Sequence, residues 1–305
     1  MTTFGLGLAA LGRPAYINFG HGADLGDDRS PDALRARTHE VLDHAYSRGV
    51  RYFDAARSYG LAEDFLGGWL RSRRPAGVTV ASKWGYTYTA NWQIDVAAHE
   101  VKDLSTATLR RQLAETREHL GEWLQLYQIH SATIESGVLE DGEVLGELAI
   151  LRETGVAIGL TATGADQAAT IDRAVETGAF DAVQATWNLH ERAAGPALAT
   201  AHEAGLRVVV KESVANGRLA GRAAPPELAA AARERGVGPD AIAIAAALAQ
   251  PWSDVVLSGA STTEMLDSNL AALELTYDAE LDERLAGLAE PSADYWDERA
   301  ELDWN

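Results

Sequence analysis

Short apolar runs alternate with longer stretches of helical periodicity along the whole chain. Eight of these runs are apolar or rich in β-branched residues, and each has the length of a buried strand. We predict strands at residues 4–8, 50–54, 78–83, 126–130, 156–161, 181–184, 207–211 and 254–258.

The stretches between these runs have the apolar spacing of amphipathic helices. One face carries residues that are three or four positions apart, namely Leu109, Leu113, Thr116, Leu120 and Trp123. Ser30 followed by Pro31 predicts a helix start, because serine caps helices and proline favours their first position. Ser261 and Glu264 form a capping-box pattern and predict another helix start.

Alternating strands and helices predict parallel strands joined by crossover helices. Eight such repeats are the number that closes a barrel, so we predict an α/β fold, the (β/α)8 TIM barrel, with eight parallel strands and extended loops at the C-terminal face. We expect one domain over residues 1–305. The alternative is an open doubly wound sheet with a Gly-x-Gly-x-x-Gly turn, and the spacing of Gly5, Gly7 and Gly12 does not match that turn.

Two segments are longer than simple connections require, residues 84–104 and 291–305, and both are rich in aromatic residues. Long segments in a compact barrel are typically functional or disordered, and the aromatic residues favour function. We therefore predict that Trp84, Trp92 and Trp296 line a substrate pocket for an aromatic aldehyde or a sugar. The alternative is that Trp84 and Trp92 only pack their loop against the barrel.

Composition and charge exclude several classes of function. The chain has 26 Lys and Arg against 45 Asp and Glu, a formal net charge of −19, which disfavours binding to nucleic acid or to an anionic membrane. It has no cysteine, which excludes disulfides, thiolate metal sites and a thiol nucleophile, and no metal site is predicted. The N-terminus lacks a basic leader region and the longest apolar run, 241–249, is too short to span a bilayer, so we expect a soluble, cytoplasmic protein of unknown oligomeric state.

Polar residues end most of the predicted strands, and in a barrel these ends meet at one rim. They are Asp54, Lys83, His130, Thr161, Gln184 and Lys211, and Tyr59 follows Asp54 by five positions. A tyrosine has a pKa of ~10, which a neighbouring ammonium lowers, and a carboxylate can hold that ammonium in place. The pattern therefore favours proton transfer next to a carbonyl, with Tyr59 and Lys83 as partners.

Several motifs resemble those of the aldo-keto reductase superfamily. They are DAARSYG followed by Glu63, the strand endings ASK and YQIH, and the late segment GASTTEMLDSNLAAL. The resemblance covers nearly the whole chain, and all four positions of the family's catalytic tetrad match, as Asp54, Tyr59, Lys83 and His130. The resemblance implies hydride transfer between a nicotinamide cofactor and a carbonyl or alcohol substrate, such as an aldehyde, ketone or sugar, with Tyr59 as general acid.

The same resemblance implies a set of cofactor-binding residues. These are Thr161, Gln184, Lys211, Ser213, Gly217, Leu219, Gly259, Ser261, Thr262, Met265 and Asn269. NADP(H) is the expected cofactor because the superfamily mostly uses it, with NAD(H) close behind because residues 255–272 contain no Lys or Arg.

Two other functions stay open at this point. Lys211 or Lys83 at a barrel mouth could form a Schiff base, as in an aldolase or related lyase. A regulatory protein could use the fold to sense nicotinamide with little turnover, since a fold does not guarantee activity.

Overall fold

Eight parallel strands close into a barrel in the computed structural model, which describes residues 2–305. The order around the barrel is β1, β10, β9, β8, β7, β6, β3 and β2, and β4 and β5 form a separate antiparallel pair. In chain order the strands are β1 (Thr3–Gly7), β2 (Tyr52–Asp54), β3 (Thr79–Trp84), β4 (Tyr86–Tyr88), β5 (Glu100–Lys102), β6 (Leu124–Ala132), β7 (Ala157–Ala162), β8 (Ala182–Thr186), β9 (Arg207–Lys211) and β10 (Val255–Ser258).

Most of the helices lie between consecutive barrel strands, as the strand-then-helix pattern predicts. They are α1 (His21–Leu25), α2 (Pro31–Ser47), α3 (Ala62–Arg73), α4 (Thr106–Leu120), α5 (Gly142–Glu153), α6 (Gln167–Thr177), α7 (Gly195–Glu203), α8 (Pro226–Arg235), α9 (Pro239–Leu248), α10 (Thr263–Leu270), α11 (Ala279–Leu285) and α12 (Ser292–Ala300).

The predicted barrel is confirmed, and each predicted strand lies within two residues of an observed one. The open sheet is wrong, because β1 pairs with both β2 and β10 and so closes the ring. Ser30 caps α2 as predicted, accepting a hydrogen bond from Ala33 N at 3.3 Å. The predicted start at Ser261 is off by one residue, since Thr262 is the residue that caps α10.

Alternation along the strands places the polar strand ends inside the barrel. A cluster of apolar side chains from different strands fills the interior, including Tyr52, Ala81 and Val209. Successive strand residues point to opposite faces, so residues two positions further on also face inward. Asp54, Lys83 and Lys211 stand at that spacing, and therefore project into the mouth above the apolar core.

The two long segments that the sequence singles out both have structure of their own. The segment 84–104 contains the antiparallel pair of β4 and β5, in which Tyr86 lies opposite Lys102. The segment 291–305 contains α12, and its last residue, Asn305, exchanges backbone hydrogen bonds of 3.2 Å with Tyr16. Both segments thus return to the C-terminal face of the barrel.

Within residues 2–305, no helix is both long enough and apolar enough to cross a bilayer.

Candidate active site

Lys83 and Asp54 form a buried ion pair at the mouth of the barrel. They come from neighbouring strands, β3 and β2, so their side chains meet across the ladder. Lys83 Nζ also donates to the Ala55 carbonyl oxygen at 3.0 Å. Gln128 and Gln184 donate their side-chain amides to Asp54 Oδ2, at 3.3 and 3.0 Å, so the carboxylate is held from several sides.

Tyr59 and His130 complete a compact group with this ion pair. Lys83 Nζ lies 4.7 Å from the centroid of the Tyr59 ring. The Tyr59 and His130 rings meet edge to face, with centroids 5.5 Å apart. His130 Nδ1 lies 3.4 Å from Ser58 Oγ. The structure therefore brings together the four residues that the motifs single out.

The charge states of Tyr59 and His130 follow from burial and from neighbouring charges. Burial raises the pKa of Tyr59 well above its usual range, and the Asp54 carboxylate raises it further. We expected the Lys83 ammonium to lower this pKa, but that charge is paired with Asp54. Burial lowers the pKa of His130, and the charges of Lys83 and Lys211 add to this effect. At neutral pH the group therefore holds a neutral phenol beside a neutral imidazole.

Close backbone contacts position the loop that carries Tyr59. Gly12 accepts a hydrogen bond from Leu61 N at 2.7 Å, and a Cβ at Gly12 would overlap the Tyr59 carbonyl oxygen. Arg57 N donates to the Lys83 carbonyl oxygen at 3.0 Å, which ties the loop to β3. A side chain at position 12 would therefore displace Tyr59.

A buried polar network supports the same loop from below. The Glu63 carboxylate pairs with Arg57 at 2.7 Å. It also accepts hydrogen bonds from Ser82 Oγ at 2.5 Å and Thr116 Oγ1 at 2.8 Å. Since Ser82 precedes Lys83 in β3, Glu63 links the Tyr59 loop to the strand that carries the lysine.

A cavity of about 910 Å³ opens above the four residues and extends to α10. Its lining includes Asp54, Tyr59 and His130 at one end and Met265 and Asn269 at the other. Of the residues predicted to bind a cofactor, the cavity is lined by Gln184, Lys211, Ser213, Gly217, Gly259, Met265 and Asn269.

Four predicted cofactor residues do not line this cavity. Thr161 is buried, and its Oγ1 accepts a hydrogen bond from Ser131 N at 2.7 Å. Leu219 is part of the apolar core. Ser261 is buried, with its hydroxyl 3.5 Å from Met265 Sδ, and Thr262 accepts from Met265 N as the cap of α10. Their side chains are engaged within the fold, and a role of these four residues in cofactor binding stays a prediction.

The three tryptophans predicted to form a substrate pocket are also absent from the cavity lining. Trp84 is fully buried in the core, because it follows Lys83 on the strand and so points outward, towards the helices. Trp92 packs on Phe65 and donates Nε1 to the Arg29 carbonyl oxygen at 2.6 Å. Trp296 packs against the core from α12.

Other aromatic residues line the cavity near the tetrad. Tyr16, Tyr86 and Trp304 line it there, and the Tyr86 ring lies 5.0 Å from that of His130. The Arg13 guanidinium lies 4.6 Å from the Trp304 ring centroid and pairs with Glu100 at 3.1 Å. These residues come from the loop after β1, the β4–β5 pair and the C-terminal tail. The aromatic content of the two long segments indicated that aromatic residues line the cavity. It did not indicate which of the aromatic rings point inward.

Lys211 and its neighbours form the charged wall opposite. Lys211 Nζ donates to Thr186 Oγ1 at 2.7 Å, and burial lowers the pKa of this lysine to about 8. Burial alone would raise the pKa of Glu212, but the charges of Arg299 and Lys211 lower it to about 2. Arg299 Nε holds the Glu212 carboxylate at 2.9 Å, so this ion pair fastens α12 to the end of β9.

The cavity fits an elongated ligand that carries polar groups. Ligand sites in proteins commonly have volumes of ~300–1,000 Å³. Asn216, which lines the cavity and is only 4% exposed, has a side-chain oxygen without a hydrogen-bond partner in the described chain. At Gly259 a Cβ would meet nothing within 4 Å, so the backbone there is open to a ligand. Size, an unpaired acceptor and an accessible backbone together suit a dinucleotide.

Comparisons with known proteins agree with this geometry. The sequence model of the aldo/keto reductase family matches residues 17–290. The aldo-keto reductase AKR11C1 from Bacillus halodurans, in its holo form, is 22% identical, with a TM-score of 0.73 over 94% of this chain and 92% of that chain. The glycerol dehydrogenase AKR11B4 from Gluconobacter oxydans is 19% identical, with a TM-score of 0.72 over 93% of this chain and 90% of that chain. None of the curated proteins compared with the chain matches it.

Proposed function

The chain belongs to the aldo/keto reductase family, and from that premise we propose that it transfers hydride between a nicotinamide cofactor and a carbonyl or alcohol substrate, with Tyr59 as the general acid and base. The observation that carries the proposal is the contact of Tyr59 with the Lys83–Asp54 ion pair and with His130 at one end of a large cavity. When bound, the nicotinamide supplies the hydride.

In the direction of reduction, Tyr59 gives its phenolic proton to the carbonyl oxygen as the carbon gains hydride. The raised pKa of Tyr59 keeps this proton in place at neutral pH until a substrate takes it. Two cations lie against the ring, Lys83 at 4.7 Å and Arg13 at 5.2 Å from its centroid. Lys83 is paired with Asp54, and the Arg13 charge lowers the pKa of Tyr59 and so stabilises the phenolate that results. In alcohol oxidation, the same phenolate takes the hydroxyl proton back.

His130 serves as a neutral hydrogen-bonding group beside the reacting oxygen. The lowered pKa of His130 keeps the imidazole uncharged at neutral pH. Nδ1 lies next to Ser58 Oγ, and the other ring nitrogen has no hydrogen-bond partner among residues 2–305. A neutral imidazole can orient a carbonyl oxygen without competing with Tyr59 as the acid.

The residues that would hold the cofactor are those that line the cavity between the tetrad and α10. Gln184 and Lys211 lie at the nicotinamide end, and Met265 and Asn269 at the adenosine end. NADP(H) and NAD(H) are chemically identical from the nicotinamide to the adenosine ribose. The residues along this part of the cavity would therefore bind both cofactors in the same way.

One observation favours a second function, Schiff-base chemistry at Lys211. Its pKa of about 8 leaves part of the amine neutral and nucleophilic under mildly alkaline conditions. The hydrogen bond to Thr186 Oγ1 and the nearby Glu212 carboxylate oppose this function, because both hold the ammonium form. Borohydride trapping of a carbonyl compound on Lys211, absent in Lys211→Met, would favour the lyase over the reductase.

The proposal is tested by following NADH and NADPH consumption with a panel of aldehydes, ketones and sugars. The reverse reaction is assayed with alcohols, including glycerol because one structurally similar protein is a glycerol dehydrogenase. We expect turnover with at least one substrate class, and its loss in Tyr59→Phe. A protein that binds the cofactor but turns over no member of either panel would instead support the nicotinamide-sensing alternative.

A further inference from the structure

The end of the cavity at α9 and α10 is where NAD(H) and NADP(H) differ. Tyr59 and His130 fix the reacting end of a bound dinucleotide, so the opposite end of the cavity receives the adenosine. The two cofactors differ there by one phosphate on the ribose 2′-hydroxyl. Charges at this end therefore select between them, and the inference rests on the proposed function only for this orientation.

Two carboxylates line this end of the cavity, Asp240 from the first turn of α9 and Glu264 from the first turn of α10. Asp240 is 7% exposed and accepts a hydrogen bond from Asn269 Nδ2 at 2.6 Å. The cation at this end is the exposed Arg222, and α10 itself contains no Lys or Arg. The net charge of these three lining residues is negative, which opposes a second anion.

The N-terminus of α10 is already satisfied by residues of the chain. Thr262 Oγ1 accepts from Met265 N at 3.2 Å. Glu264 is exposed in the first turn of the helix, where its own backbone N–H and the Thr262 hydroxyl lower the pKa of the carboxylate. Helix N-termini commonly bind phosphate through backbone N–H groups that have no acceptor within the helix. A 2′-phosphate here would lie beside the Glu264 carboxylate, which lines the cavity from the same turn.

The unpaired group in the cavity wall is also an acceptor. The side-chain oxygen of Asn216, which has no partner in the described chain, requires a donor. A ribose hydroxyl or an adenine amine can donate to it, whereas a phosphate oxygen cannot. Asp240 and Glu264 likewise suit hydroxyl donors and repel phosphate.

We propose that this chain selects NAD(H) over NADP(H), and that Asp240 and Glu264 are the residues that determine the choice. They act as acceptors towards the ribose hydroxyls and as a repulsive pair towards a 2′-phosphate. The proposal departs from the preference for NADP(H) that the family resemblance alone implies.

Calorimetric titration with ADP-ribose and 2′-phospho-ADP-ribose tests the proposal without turnover, because neither ligand carries nicotinamide. We expect wild-type protein to bind ADP-ribose roughly 10-fold more tightly than 2′-phospho-ADP-ribose, because the second ligand adds a negative charge beside the two carboxylates. Glu264→Gln and Asp240→Asn remove one charge each with little change of shape, and each should reduce the preference by roughly 3–10-fold. Glu264→Gln is the safer variant, since Asp240 also holds Asn269.

Asp267→Asn is the matched control. Asp267 lies on the same helix but pairs with Arg48 at 2.7 Å and does not line the cavity. We expect this variant to leave the preference unchanged, which separates a local effect from the overall charge of −19.

Several outcomes would overturn the proposal. Equal or tighter binding of 2′-phospho-ADP-ribose by wild type would overturn it, most clearly if Arg222→Ala abolished that binding. A preference that survives both carboxylate variants would overturn the assignment to Asp240 and Glu264. Failure to bind either ligand would overturn this inference together with the proposed function. Selective ADP-ribose binding without any carbonyl turnover would contradict only the proposed function and would leave the proposed cofactor selectivity in place.

Discussion

The titration of Lys211 couples to the stability of the fold. Its pKa falls from a usual value of ~10.4 to about 8, because burial disfavours the ammonium. The unfolded chain therefore binds more protons than the folded one between these values. Burial of the charged lysine therefore destabilises the fold by its full amount below pH 8. This destabilisation disappears as the pH rises towards ~10.4.

We predict that the stability of wild type relative to Lys211→Met rises with pH. The difference in free energy of unfolding between the two proteins should shift by roughly 1–2 kcal/mol in favour of wild type between pH 7 and 9.5. Urea unfolding at both pH values measures it. A difference that stays constant with pH would show that Lys211 titrates as a free lysine.

The meeting of Asp54, Lys83 and His130 at one rim could be predicted from sequence because polar side chains are unusual at the ends of apolar strands. Asp54, Lys83 and His130 end apolar strands, and inward alternation then brings them together. The same alternation explains why Trp84 points away from the cavity, since adjacent strand residues cannot both face it. No local pattern reveals that the Thr161 hydroxyl accepts a hydrogen bond from the backbone of Ser131.

At the scale of elements, the cap of α10 gives a direct stability prediction. Thr262→Ala removes the acceptor for Met265 N and should lower the free energy of unfolding by about 0.5–2 kcal/mol. Ser261→Ala serves as the control, because Ser261 only contacts Met265 Sδ and should cost less. Denaturant unfolding of both variants measures the order. A larger loss of stability in Ser261→Ala would contradict this assignment and would favour Ser261 as the cap, as the capping-box pattern predicted.

The barrel strands could be predicted within two residues because buried parallel strands are continuous apolar runs. The pair of β4 and β5 could not. Each strand has three residues, and neither is buried enough to show an apolar run. Their pairing depends on contacts with the rest of the C-terminal face, such as the hydrogen bond from Lys102 Nζ to the Ser131 carbonyl oxygen at 2.7 Å.

At the scale of the whole molecule, several cations surround His130 in an acidic protein. The charges that depress the pKa of His130, after burial, come from Lys83, Lys211, Arg13 and Lys102, although the chain carries a net charge of −19. The overall charge therefore bears on the prediction that nucleic acid and anionic membranes are poor partners. It does not indicate the charges that surround the candidate active site.

The C-terminal tail reaches the cavity, so it should affect substrate binding. Trp304 lines the cavity and stacks on His99 with ring centroids 4.0 Å apart. Replacing Trp304 by Ala should raise KM for the substrate by roughly 2–10-fold while leaving the cofactor Kd unchanged. Steady-state kinetics with a parallel cofactor titration measures both. An unchanged KM would place the substrate away from this wall.

The most direct test of the central claim is the turnover of Tyr59→Phe. This change removes the phenolic proton and keeps the ring that contacts Lys83 and His130. We predict that kcat for carbonyl reduction falls by ~10²–10⁴-fold while the cofactor Kd stays within about twofold of wild type. Turnover within a few-fold of wild type would contradict the role assigned to Tyr59.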